Sequence, residues 1–200
     1  VDVDQEFTIT VTNVNDAPVI TSTPVTSVDE DSAYSYPFVA TDVDTVATLT
    51  YSAPTLPTWL TFTAATGVLS GTPTNDEVGT HTVKLRVNDG TVDVDQEFTI
   101  TVVNTNDAPV IISIPLTSVN EDSAYSYTLD ATDVDTVDTL TYSAPTLPSW
   151  LTFTASTGLL SGTPTNDEVG DHTVKLRVND GTVDVDQEFT ITVTNVNDAP

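Results

Sequence analysis

Asparagine and aspartate recur in one short pattern at three places in this 200-residue chain. They are Asn13-Val14-Asn15-Asp16-Ala17-Pro18, Asn104-Thr105-Asn106-Asp107-Ala108-Pro109 and Asn195-Val196-Asn197-Asp198-Ala199-Pro200. Four further acidic spots repeat between these seams. Asp29-Glu30-Asp31 has its counterpart in Asn120-Glu121-Asp122, and Asp42-Val43-Asp44 in Asp133-Val134-Asp135. Asn75-Asp76-Glu77 is repeated as Asn166-Asp167-Glu168, and Asp89 as Asp180. Every group offered is an oxygen, with no histidine or cysteine among them, which suits a hard cation such as calcium.

The charge balance points the same way. Thirty Asp and Glu stand against four Lys and Arg, for a formal net charge of −26. Such acidity argues against nucleic acid or an anionic membrane as partner, since those bind basic patches. A folded chain this acidic repels itself, and bound divalent cations relieve that where carboxylates cluster. Disorder is the competing reading of acidic composition. It loses here because Val, Ile, Leu, Phe, Tyr and Trp recur in ordered alternation.

The seams set a period: 106 − 15 = 91 and 197 − 106 = 91. Residues 15–105 and 106–196 align along their whole length without a gap. A repeat of that size is a domain with its own core, unlike the short repeats of solenoids. Residues 1–14 match 92–105 almost throughout, so they read as the last strand of a preceding, incomplete repeat. That strand has nothing to pair with, and the expectation is that it frays or pairs with a neighbouring molecule. Two complete repeats follow, 15–105 and 106–200, the second with its outgoing linker. The chain starts inside a repeated sequence and reads as a fragment, with no signal peptide and no membrane span. Cysteine is absent, so no disulfide framework exists.

Within one repeat, strand signals alternate with turn signals and no helical period appears. The predicted strands are residues 19–23, 33–40, 49–53, 60–63, 68–71, 80–88 and 95–103. Turns fall at Ala53-Pro54, Leu56-Pro57, Thr66-Gly67, Gly71-Thr72-Pro73 and Asn88-Asp89-Gly90. Seven short strands in about 90 residues is an all-β Greek-key sandwich. Val83, Leu85 and Val87 share one face of their strand, with Lys84 and Arg86 on the other. Phe98, Ile100 and Val102 alternate with Glu97, Thr99 and Thr101, and the Asn-Asp-Gly turn joins the two strands as a hairpin. Lys84 and Arg86 then face Asp95 and Glu97 across the ladder, a local and structural role.

Strand parity sorts the acidic spots. Asp42 and Asp44 follow the second strand and Asp89 follows the sixth, so they share a pole with the incoming linker. Glu30 precedes the second strand, and Asp76 and Glu77 follow the fifth, which places them at the opposite pole with the outgoing linker. The joint at the middle of the chain is expected to gather Glu30, Asp76, Glu77, Asn104, Asn106, Asp107, Asp133, Asp135 and Asp180. The first joint draws on Asn13, Asn15, Asp16, Asp42, Asp44 and Asp89, and the last on Glu121, Asp167, Glu168, Asn197 and Asp198.

With these residues in place, the chain resembles the cadherin superfamily, and most closely the dystroglycan-type cadherin-like and Ig-like repeats of large bacterial surface adhesins. The resemblance covers the whole 91-residue unit. It rests on Glu30, on Asp42-x-Asp44, on the Asp76-Glu77 pair, on the strand ending in Asp89-Gly90 and on the Asn-x-Asn-Asp-Ala-Pro linker. Trp59-Leu60-x-Phe62 followed by Thr66-Gly67-x-Leu69-Ser70-Gly71-Thr72-Pro73 is similar to the bacterial branch. The resemblance implies up to three calcium ions between successive domains, and an extracellular location, at the cell surface or secreted. The linker here is one residue shorter than the full cadherin linker, and Asp76-Glu77 lacks the usual spacing residue. One to three ions per joint follow.

Each residue also has a plainer reading. Asp89 before Gly90 is a good turn residue without any metal, and Asp42 and Asp44 alone would pass for solvated loop. Asp93 and Asp95 are outward strand charges. Trp59 and Trp150 are core plugs rather than sugar platforms. The run from Asp42 to Ala53 is no EF-hand, since Gly is not sixth nor Glu twelfth. Catalysis is not expected: the histidines, His81 and His172, fall one per repeat, and nothing marks a nucleophile or its orienting partner. The function that fits is a calcium-rigidified spacer in a surface adhesin, its partners the neighbouring repeats of the same chain. The alternative is a carbohydrate-binding or homophilic cell-adhesion module with a glycan or cell-surface partner, which needs an exposed aromatic platform, with Tyr34, Tyr36 and Tyr51 as its candidates, or a self-complementary edge.

Overall fold

The computed structural model describes residues 1–44, 47–135 and 139–197. The chain divides into two compact units, Val1–Thr105 and Asn106–Pro200. Unit 1 carries β1 (Val19–Ile20), β2 (Ser27–Asp29), β3 (Tyr34–Pro37), β4 (Ala40–Thr41), β5 (Thr50–Thr55), β6 (Leu60–Thr63), β7 (Val68–Gly71), β8 (Gly79–Asn88) and β9 (Asp93–Val103). Unit 2 repeats them as β10 (Val110–Ile111), β11 (Ser118–Asn120), β12 (Tyr125–Thr128), β13 (Ala131–Thr132), β14 (Thr141–Thr146), β15 (Leu151–Thr154), β16 (Leu159–Gly162), β17 (Gly170–Asn179) and β18 (Asp184–Thr194).

One sheet of unit 1 runs β2-β9-β8-β5 and the other β3-β7-β6, with β1 paired to β4. Unit 2 has the same order, β11-β18-β17-β14 and β12-β16-β15, with β10 paired to β13. This is a seven-stranded sandwich path in which the first and second strands are each broken in two. The first strand differs from the stretch predicted over 19–23. Its start pairs antiparallel with β4, and after Pro24 its continuation pairs parallel with β9 in the other sheet. Proline has no N–H to give a ladder, so the chain changes sheets around it. Pro54 likewise sits in β5, an edge strand whose register shifts between Ser52 and Thr55.

Period-two alternation builds the core. Val83, Leu85, Val87 and Ile100 are fully buried between the sheets, joined by Tyr34, Tyr36, Phe38, Leu60 and Leu69. Tyr36 meets Phe98 edge-on at 5.7 Å between ring centroids, and Phe38 meets Tyr51 at 5.6 Å. Edge-to-face pairs of this kind add roughly 0.5–1.5 kcal/mol each beyond burial. The tyrosine hydroxyls are satisfied inside: Tyr36 donates to Gln96 Oε1 at 2.7 Å, and Tyr34 donates to the Val25 carbonyl at 2.8 Å. Burial, with Tyr36 nearby, pushes the Tyr34 phenol up to about 12. Tyr34 and Tyr36 are therefore core, and the aromatic platform imagined for glycan binding does not form from them. Tyr51 is half-buried against the same core.

Trp59 is half-buried, edge-on to Tyr34 at 5.9 Å and to His81 at 5.8 Å. His81 Nε2 lies 2.6 Å from the Glu77 carbonyl oxygen. Trp150 repeats this with Tyr125 and His172. Both tryptophans are thus wedged into the sandwich, as expected. Gly67 has φ +68°, and a Cβ there would stand 2.6 Å from the Phe38 carbonyl oxygen, so the turn into β7 needs glycine.

Outside the core, the cross-strand charges meet as the alternation requires. Lys84 lies 3.0 Å from Asp95 and 3.9 Å from Glu97. Arg86 grips Asp95 through Nε at 2.6 Å and Asp93 through Nη1 at 2.6 Å. Residues 1–18, by contrast, carry no strand, and residues 1–17 are exposed.

Candidate functional site

The upstream pole of unit 1 is built by the incoming linker folding onto two loops. Asn13 Nδ2 donates to Asp44 Oδ1 and the Asp16 N–H donates to Asp44 Oδ2, both at 2.8 Å. The Asp44 N–H in turn donates to Asp42 Oδ1 at 2.8 Å. Asn15 Nδ2 reaches Asp89 Oδ2 at 3.0 Å, while Asp89 Oδ1 accepts from the N–H groups of Thr91 and Val92 at 2.7 Å. Those donors, the Val92 N–H first and Asn15 next, hold the Asp89 carboxyl below its usual range. Asp89 therefore serves as turn residue and linker anchor at once. The sequence placed Asn13, Asn15, Asp16, Asp42, Asp44 and Asp89 at one pole, and within unit 1 they stand together.

Unit 2 repeats the arrangement. The Asp107 N–H donates to Asp135 Oδ2 at 2.7 Å, the Asp135 N–H to Asp133 Oδ1 at 3.0 Å, and Asn106 Nδ2 to Asp180 Oδ2 at 2.9 Å. Asp180 is held below its usual range by the Val183 N–H and then Asn106.

At the downstream pole of unit 1, Glu30 turns inward and is only 3% exposed. Its Oε1 accepts from the Thr105 N–H of the outgoing linker at 2.5 Å. A tight turn follows at once: Asp31 has φ +56°, and its N–H donates to the Pro73 carbonyl at 2.8 Å. Left-handed backbone outside glycine is best tolerated by Asp and Asn. In unit 2, Glu121 repeats the contact with the Val196 N–H at 2.5 Å, and Asp122 has φ +58°.

Asp76 and Glu77 lie in a single 3₁₀ turn, Asn75–Glu77. Glu77 Oε2 accepts from the Thr74 N–H at 2.8 Å and the Thr74 hydroxyl at 2.9 Å, which lowers its carboxyl below the usual range. Glu168 does the same with Thr165, the hydroxyl here the larger cause. Both glutamates thus cap their own turns, a role that Thr-x-x-Glu spacing announces and that the ligand reading overlooked. Asp76 and Asp167 are exposed beside them, as are Asn104 and Asn197 on the linkers. Asp198 lies outside the described residues.

Among the described residues, four carboxylate oxygens share one property. Glu30 Oε2, Asp42 Oδ2, Glu121 Oε2 and Asp133 Oδ2 are buried without a hydrogen-bond donor. A buried carboxylate oxygen left without a partner is costly unless a cation supplies one. Carboxylate oxygens with linker amide and backbone oxygens nearby form a donor set of the hard type, which fits calcium.

Two sandwiches of this topology, linked in tandem and carboxylate-lined at their ends, define the class as Ig/cadherin-like β-sandwich repeats. The chain belongs to the family described as "Putative Ig domain", whose profile matches residues 17–103 and 108–194. The serine-rich adhesin for platelets of Staphylococcus aureus (strain USA300) is 34% identical over 148 residues, which is 70% of this chain and 6% of that protein. This chain therefore spans only a small part of that relative's length. Human protocadherin-24 EC1-2 is similar in fold at 20% identity and TM-score 0.54, covering 92% of this chain and 100% of the other. Protocadherin gamma B2 extracellular domains 1–5 match at 19% identity and TM-score 0.62, covering 94% and 41% respectively.

Proposed function

We propose that this chain is a calcium-rigidified spacer segment of a large cell-surface adhesin, outside the cell. The single observation that carries the reading is the buried, donor-less carboxylate oxygen at both poles of both units. At the downstream pole a linker N–H holds the other oxygen of that carboxylate, as Thr105 does for Glu30, and at the upstream pole the linker bonds Asp44, whose own N–H holds the other oxygen of Asp42. The linker that leaves one repeat is the linker that enters the next. Calcium held by Glu30 and Asn104 at the downstream pole of one repeat, and by Asn106, Asp107, Asp133 and Asp135 at the upstream pole of the next, would stiffen the linker that each pole grips, and without calcium the carboxylates repel and the linker loosens. Asp76 is the weaker member of the set, and Glu77 Oε2 already holds Thr74.

The family and the adhesin relative support the setting, and the near-identity of the two repeats supports the spacer. A lining repeated from unit to unit serves a uniform array better than one specific surface. A glycan-binding role has lost Tyr34 and Tyr36 to the core.

Affinities of about 10⁻⁵ to 10⁻³ M are typical of extracellular calcium modules. Titration calorimetry with calcium chloride on the intact chain tests the proposal. Saturable binding in that range is expected, and an absence of binding at millimolar calcium overturns it.

A further inference from the structure

Asp89-Gly90 and Asp180-Gly181 are the Asp-Gly steps of the chain, one in each repeat, at the turns between β8 and β9 and between β17 and β18. In both turns, groups that assist the making and breaking of an amide surround one carboxyl carbon. Asp89 Oδ1 accepts from the N–H groups of Thr91 and Val92 at 2.7 Å, and Asp180 Oδ1 from those of Thr182 and Val183 at 2.6 Å. A pair of backbone N–H donors on one oxygen stabilises the negative charge that a tetrahedral intermediate places there.

The nucleophile is the next main-chain nitrogen. The Gly90 N–H donates to Asn88 Oδ1 at 2.6 Å, and the Gly181 N–H to Asn179 Oδ1 at 2.7 Å. Each asparagine is fixed with that oxygen towards glycine, because its Nδ2 donates across the hairpin, from Asn88 to Asp93 Oδ1 at 2.7 Å and from Asn179 to Asp184 Oδ1 at 2.8 Å. Glycine also leaves the approach open. Gly90 has φ +100° and Gly181 φ +105°, a region that strains other residues, and a Cβ at either would meet nothing within 4 Å.

We propose that Asp89 and Asp180 are sites of self-modification, at which the main chain passes through a succinimide and re-forms through the aspartate side chain. The Gly90 nitrogen bonds to Asp89 Cγ, and its proton leaves along the bond to Asn88 Oδ1 and passes to solvent. Asp89 Oδ2 departs as water, with its protons drawn from solvent. Water then adds at the main-chain carbonyl carbon of the ring, and the bond from that carbon to nitrogen breaks. The product is isoaspartate. The water lost is regained, and nothing is oxidised or reduced. Holding nucleophile and carboxyl carbon in one turn makes the step intramolecular.

The linker holds the oxygen that must leave. Asn15 Nδ2 donates to Asp89 Oδ2 at 3.0 Å, and Asn106 Nδ2 to Asp180 Oδ2 at 2.9 Å. While that bond stands, the carboxylate is kept from turning its carbon onto the glycine nitrogen, so the linker latches its own anchor. Conversion lengthens the backbone by a methylene and moves the carboxylate that the linker asparagine grips. Asp31-Ser32 and Asp122-Ser123 lack these surroundings. The serine N–H is spent on a main-chain carbonyl, that of Asp29 or Asn120, at 3.2 Å, and a side chain flanks the nitrogen.

The intact chain, kept for weeks at neutral pH in EDTA so that calcium plays no part, tests the proposal. Enzymatic methylation of isoaspartyl carboxylates, followed by proteolysis and mass spectrometry, reads the conversion site by site. Isoaspartate is expected at Asp89 and Asp180 ahead of Asp31 and Asp122. Asn15→Ala is expected to raise the rate at Asp89 several-fold and to leave Asp180 unchanged, and Asn106→Ala to do the reverse. Asn88→Ala is expected to slow conversion at Asp89, whereas mere loosening of the turn would speed it. No isoaspartate at either site, conversion as fast at Asp31 and Asp122, an unchanged Asp89 rate in Asn15→Ala, or an unchanged or faster one in Asn88→Ala would each overturn the proposal.

Discussion

Glu30 accepts a hydrogen bond from the N–H of Thr105, 75 residues later in the chain, and in doing so fixes the outgoing linker to the start of the sandwich. The other oxygen of the same carboxylate is buried without a donor. One side chain thus combines a structural bond with an unmet electrostatic demand.

That combination predicts a change of sign. Glu30→Gln keeps an acceptor for Thr105 and removes the buried charge. In EDTA the variant is expected to melt at or above the temperature of the wild type, because a donor-less buried charge is costly. In millimolar calcium it is expected to melt below it. Paired thermal melts by circular dichroism check both, and a variant less stable by the same amount in both buffers would mean that Glu30 is structural only.

Core substitutions should be indifferent to calcium. Leu85 is fully buried at the centre of unit 1, and Leu85→Ala is expected to cost about 2–5 kcal/mol. Denaturant unfolding with and without calcium should give the same loss.

Tyr36→Phe isolates the polar network inside the sandwich. The hydroxyl bonds Gln96 and lies 2.7 Å from the Ser22 hydroxyl. Removing it strands the Gln96 oxygen, at a cost of about 1–3 kcal/mol. Chemical denaturation of the variant, monitored by Trp59 and Trp150 fluorescence, reads the change.

Acid sensitivity follows from Asp95 and Asp186. Arg86 and then Lys84 hold the Asp95 carboxyl well below the usual carboxylate range, and Arg177 and Lys175 do so for Asp186. The folded value lies below the unfolded one, so their stabilisation is fully present above about pH 4, the ordinary aspartate value. It is lost as pH falls through the depressed folded value. Arg86→Gln and Arg177→Gln are expected to lower the melting temperature at neutral pH and to shrink its fall on acidification. A melt series from neutral pH to about pH 2 checks this. The groups are solvent-exposed, so a modest effect that weakens in high salt is expected.

Much of this was legible in the residues. The strands at Leu60–Thr63 and Val68–Gly71 match their predicted bounds because glycine and proline turns punctuate both ends. The pole assignment needed only strand parity, and the linker bonds to Asp44 and Asp89 follow it. The break of the first strand was not legible, since a chain passing from one sheet to the other leaves no mark in periodicity beyond Pro24. The aromatic-platform form of the alternative needs Tyr34 and Tyr36 at the surface, yet Tyr34, Tyr36 and Phe38 share one parity, which is the mark of a buried face. The capping bonds from Thr74 to Glu77 Oε2 are announced by the Thr-x-x-Glu spacing, which the metal assignment of Glu77 leaves out of account.

The most direct test of the calcium reading is a thermal melt of the intact chain in EDTA and in millimolar calcium. Calcium at 100 times its dissociation constant adds about 2.7 kcal/mol, which for units of this size raises the melting temperature on the order of 10 °C. That shift, diminished by Asp133→Ala and by Asp42→Ala, is the expected result. Superimposable melts in the two buffers would contradict the account.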